Sequence, residues 1–63
     1  MTLEEKFFQA YANIPLNIRQ EIVVVVGNEP FSWSAAKIEI ENKTAKGKEI
    51  LEKLANMGII NND

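Results

Sequence analysis

The sequence predicts a mostly α-helical fold, a small bundle of three to four helices, and three observations carry that prediction. Thr2 and Glu5 form a capping box in front of an apolar stripe at Leu3, Phe7 and Tyr11. A second stripe, Gly47, Ile50, Leu51, Leu54 and Met57, occupies one side of a helical wheel and stops at Gly58. The chain has 63 residues, is 46% hydrophobic and contains neither Cys nor His. A domain so short, without disulfides or an ordinary zinc site, is expected to rely on dense helix packing or self-association.

Turn chemistry divides the chain into four segments. The first runs from Thr2 to about Ala12, with Glu4 and Glu5 at the positive end of the helix dipole and Phe8 beside the stripe. Asn13, Ile14 and Pro15 interrupt it, because the residue before a proline is pushed out of helical angles. The second runs from Pro15 to Val26. Ile18, Ile22, Val25 and Val26 fall at helical spacing, with Arg19, Gln20 and Glu21 covering the other side, and Gly27 provides a stop. The run Val23 to Val26 prefers strands, so the helix is the favoured reading of this segment and a strand its alternative.

Gly27 to Pro30 reads as a loop, followed by a short extended piece near Phe31–Trp33. The third segment, about Ser32 to Glu41, admits two readings. As a helix, Ser32 caps it and Trp33, Ala36 and Ile40 share a face. As a strand, Lys37 to Glu41 alternates polar and apolar residues. With Ile22–Val26 and Lys37–Glu41 both extended, the fold would be α-β-β-α with a central hairpin. The fourth segment, Thr44 to Met57, is a helix capped by Thr44 or Asn42, with Lys48–Glu52 and Glu49–Lys53 spaced to pair on its outer side. Gly47 faces inward on this helix, which implies that another backbone passes close by. Ile59 and Ile60 return to the core, and Asn61 to Asp63 are expected to fray.

Several function classes are disfavoured. No His or Cys is available to activate Ser32, Ser34 or Thr44, and the three glycines are too dispersed for a phosphate loop, so no enzymatic activity is expected. No cofactor, metal or small-molecule substrate is expected either. The longest apolar run, Ile22 to Val26, is far too short to cross a bilayer, and the N-terminus lacks the pattern of a signal peptide. A cytoplasmic protein without membrane contact is therefore expected. The aromatic residues are not interleaved with basic ones, which favours core packing over stacking on nucleic-acid bases. The formal net charge of -2 is opposite to that of an ordinary nucleic-acid binder.

The segment Ile50 to Ile60 resembles the end of the recognition helix in winged helix-turn-helix domains. Leu51, Leu54, Met57, Gly58, Ile59 and Ile60 occupy the places of a leucine, a second leucine three residues on, an apolar residue, glycine and two aliphatics. The resemblance spans Pro15 to Ile60, with Glu41-Asn42-Lys43 as the turn and Ala35 or Ala36 as the small residue at a helix crossing. The sequence after Ile60 leaves no room for a wing, so a minimal, wingless core is expected. This resemblance implies binding of double-stranded DNA in transcriptional regulation, with the exposed start of the helix in the major groove. Thr44, Ala45, Lys48 and Glu49 would face the bases, and Lys43 and Lys46 the phosphates. A protein-interaction or dimerisation module on the same fold is the alternative reading. The apolar Ile22–Val26 run or the first helix would supply a homodimer interface in either case.

Overall fold

In the computed structural model, which describes residues 1–60, the first helix (α1) spans Leu3–Asn13. Its capping box is complete. The Glu5 amide donates to the Thr2 hydroxyl, and the Thr2 amide donates to the Glu5 carboxylate at 2.8 Å. The Thr2 amide, and then the Thr2 side chain, favour the charged Glu5 carboxylate and hold its pKa below the ordinary value. Ile14 and Pro15 end the helix as their sequence demands.

The second segment corrects the favoured sequence reading. Pro15 to Val26 is not a helix. It holds one 3-10 turn at Ile18–Gln20 and a strand (β1) at Ile22–Val26. The β-branched run prevails over the helical spacing, because four consecutive valines lose side-chain freedom in a helix and fit a pleated strand. Strand β1 pairs antiparallel with Glu29–Ser32 (β2), with Val24 opposite Phe31 and Val26 opposite Glu29. A hairpin therefore exists, but Lys37–Glu41 is not its second strand. The loop is only Gly27-Asn28, and Gly27 takes φ +64 at its first position, where glycine meets no steric penalty. Val24 and Val26 point inward, while Val25 and Ile22 are exposed. The pairing is irregular between Ile22 and Val24.

The extended piece expected near Phe31–Trp33 is thus Glu29–Ser32, and Trp33 begins the next helix (α2), Trp33–Glu41. The Ser32 hydroxyl accepts from the Ala35 amide, the cap that decides the third segment in favour of helix. The last helix (α3) spans Ala45–Asn56 and is capped by the Thr44 hydroxyl, which accepts from the Gly47 amide at 2.9 Å. Both α2 and α3 close with paired reversals. At the end of α3, Gly58 donates to the Ala55 carbonyl and Ile59 to that of Leu54, with Gly58 at φ +78. At the end of α2, Lys43 donates to Ile40 and Thr44 to Glu39, and the left-handed position is filled by Lys43 at φ +55.

Among the described residues the architecture is mixed: three α-helices and one two-stranded antiparallel sheet, in the order α1-β1-β2-α2-α3. The core draws on every one of these elements. Phe7 comes from α1, Val24 and Val26 from β1, Phe31 from β2, Ala36 and Ile40 from α2, and Ile50, Leu51 and Leu54 from α3, with Ile60 closing the end. Phe8, Tyr11 and Trp33 are half-buried around it, and the Trp33 ring lies 5.6 Å from that of Phe7. The expected fraying of Asn61–Asp63 concerns residues outside those described.

Arg19 was expected on the outer side of a helix. It instead turns inward, donating to the Tyr11 carbonyl at 3.1 Å with its guanidinium 4.3 Å from the Tyr11 ring centre. The Ser34 hydroxyl donates to the Arg19 carbonyl. These contacts tie the 3-10 turn to α1 and α2.

Helices α2 and α3 cross at Gly47. A Cβ there would lie 2.6 Å from the Glu39 carbonyl oxygen and 2.8 Å from its carbon. Gly47→Ala should therefore destabilise the fold by about 1–3 kcal/mol, although alanine is the better helix former. Urea denaturation of the two proteins measures this, and an alanine variant of equal stability would mean that the crossing is looser than described.

Candidate protein-binding site

The six residues expected to face DNA gather around the start of α3, but their side chains diverge. Lys43 leans toward α1, where its Nζ lies 3.2 Å from Glu4 Oε2. Lys46 leans toward the hairpin, 3.0 Å from Glu29 Oε1. Thr44 is committed to structure: its hydroxyl accepts from Gly47 and lies 2.6 Å from Glu39 Oε1, the closer of two acceptors for its single proton. Ala45, Lys48 and Glu49 are exposed. Among the described residues Lys48 has no ion-pair partner.

The electrostatics of this end are therefore nearly balanced. Two of its three lysines already hold a carboxylate, and the outer side of α3 adds Glu49 and Glu52 to Lys48. The hydrogen bond and charge of Glu29 raise the Lys46 pKa above its ordinary value, with Glu49 and Glu39 assisting. The expected pairs four residues apart, Lys48–Glu52 and Glu49–Lys53, are not among the ion pairs of the described residues. Lys53 reaches across to the Val25 carbonyl at 3.1 Å. Lys37–Glu41 is the pair that forms along a helix, at 2.8 Å.

Sequence reasoning missed a groove between the first turn of α1 and the α2–α3 junction, of about 490 Å³. Leu3, Ile40, Gly47 and Leu51 form its apolar part, and Glu4, Lys43, Thr44 and Lys48 its polar rim. A second concavity shares Thr2, Glu4, Ile40 and Lys43 and continues toward Glu5, Phe8 and Glu41. The Glu4–Lys43 pair lies where the two meet. The only sequence signal was the capping pair of threonines, Thr2 and Thr44, which locates two helix starts but not their proximity.

Among the described residues there is no cluster of His, Cys, Asp or Glu suited to a metal ion, and no helix long and apolar enough to cross a membrane. No protein-family model, curated protein or solved structure matches the chain.

Two variants test this description of the rim. Glu29→Gln should lower the Lys46 pKa toward its ordinary value, followed by ¹⁵Nζ NMR titration. The sign is that of a raised pKa: the pair's contribution is complete below the unfolded-state lysine pKa and is lost as pH rises through the folded one. An unchanged titration would remove Glu29 as the cause. Lys43→Gly relieves a left-handed residue whose penalty is about 1–2 kcal/mol, offset by the greater freedom of glycine in the unfolded chain and by loss of an exposed ion pair. Stability in urea should therefore be retained or rise by up to about 1 kcal/mol, and a clear loss would show that the Lys43 side chain holds the turn.

Proposed function

We propose that this chain is a protein-interaction module in which α2, the Asn42–Thr44 turn and α3 form a helix-turn-helix unit, and that the partner is held in the groove beside that unit. The observation that carries this reading is the arrangement of the rim. Glu4 and Glu29 stand beside the lysines that would meet phosphates and leave the rim nearly neutral, while the adjoining groove offers an apolar floor. Affinity for duplex DNA comes largely from phosphate neutralisation, and a net charge of -2 gives little of it. An apolar floor bordered by charges of both signs suits the side chains of a protein segment better.

Lys43 adds support. It occupies a left-handed position at which glycine is the usual residue, as Gly58 is at the end of α3. A lysine kept at that conformational cost is consistent with use of its side chain at the rim.

Double-stranded DNA is the second reading. It is favoured by the short turn between two packed helices, by Lys48, exposed and without an ion-pair partner among the described residues, and by the resemblance of Ile50–Ile60 to winged helix-turn-helix recognition helices. Against a winged form, the hairpin here precedes the two-helix unit, and Ile59–Ile60 form a bend rather than a strand.

An NMR titration of the isotope-labelled chain with a mixed-sequence DNA duplex separates the two readings. The interaction-module reading expects no shifts at Thr44–Glu49 at physiological ionic strength. Shifts concentrated there, strengthening as salt is lowered, would overturn it in favour of DNA.

A further inference from the structure

Resting on the groove reading above, we infer the chemistry of the partner: an amphipathic helix whose apolar stripe is bordered by acidic residues on the side facing α3 and basic residues on the side facing α1 and α2. The groove has an apolar strip at Leu3, Ile40 and Leu51 and is asymmetric in charge. Lys48 lies at its α3 end and Glu5 and Glu41 at its other end, with the Glu4–Lys43 pair lining both halves. A ligand bearing one sign throughout would be attracted at one end and repelled at the other. A segment with both signs, separated by apolar residues, meets complementary charge along the whole groove.

The Glu4–Lys43 pair marks where the two halves meet. It is solvent-exposed, with Lys43 75% and Glu4 37% accessible. Such pairs contribute at most about 1 kcal/mol, so opening one is a small cost. An incoming carboxylate takes Lys43 and an incoming cation takes Glu4, so both charges are satisfied again after the exchange. Leu3 is half-buried at the groove and packs against the core edge, while Ile40 and Leu51 lie buried beneath. Apolar side chains of the partner would cover this strip, the mode by which a helix settles into a groove. The exposed Ala45 at the lip leaves the α3 end unobstructed.

The test uses three designed helices with the same leucine stripe: one bordered by glutamate on one half and lysine on the other, one bordered by glutamate throughout, and one by lysine throughout. Each is titrated into the labelled full chain, and shifts are read at Leu3, Ile40, Lys43, Ala45, Lys48 and Leu51. The mixed helix should bind roughly tenfold more tightly than either uniform one. In the Lys43→Glu, Lys48→Glu double variant, the lysine-bordered helix should become the tightest of the three. A Lys43→Gly, Lys48→Ala variant should weaken the mixed helix while keeping the spectrum of a folded protein.

Equal binding of all three helices at the groove residues would overturn the charge assignment and leave the groove reading in place. Absence of shifts at those residues with every helix would overturn both. The duplex titration then reports whether α3 serves DNA instead.

Discussion

The carbonyl group of Glu39 is the point on which the arrangement of α2 and α3 depends. Its oxygen accepts the Thr44 amide at 3.3 Å, and the Gly47 backbone passes so close that no Cβ fits between them. These contacts fix where α2 ends, where α3 begins and how near the two axes run. The close approach brings Ala36 and Ile40 of α2 against Ile50 and Leu54 of α3, all four of them essentially without solvent exposure. In a chain of this size such interdigitation replaces the disulfide or metal that small domains often need. The glycine in the first turn of α3, unfavourable for that helix alone, is favourable for the pair.

Electrostatics follow from the same arrangement. Because α3 begins between α1 and the hairpin, the lysines on its flanks meet glutamates from each: Glu4, 39 residues from Lys43, and Glu29, 17 residues from Lys46. What looks in the sequence like a basic cluster at Lys43, Lys46 and Lys48 is in three dimensions a set of cross-links, with Lys48 alone uncommitted among the described residues. This charge balance is why the proposed partner is a protein rather than a phosphate backbone.

The elements legible in the sequence were those announced by local chemistry. The Thr2–Glu5 box, the Ser32 and Thr44 caps, the Gly58 stop and the inward face of Gly47 each follow from interactions within a few residues. The Ile22–Val26 strand was obscured because its outward positions are as apolar as its inward ones, so alternation was invisible and the spacing of Ile22, Val25 and Val26 imitated a helical face. Its partner was obscured by Pro30, which made Glu29–Ser32 resemble loop, although Gly27-Asn28 suits a two-residue hairpin turn. The end of α2 carried no glycine, since Lys43 takes the left-handed turn. The groove was beyond reach for a further reason. It is made by residues from both ends of the chain, and no periodicity reports which helix starts lie together.

Among the described residues, the two-stranded sheet has no neighbouring strand on either outer border. On one border Pro30 has no amide hydrogen to offer, and on the other the Lys53 ammonium occupies the Val25 carbonyl. Four consecutive valines would otherwise be a ready template for adding strand upon strand from other molecules. With a donor missing on one side and a positive charge seated on the other, the segment can be as apolar as the core requires while resisting growth into fibrils.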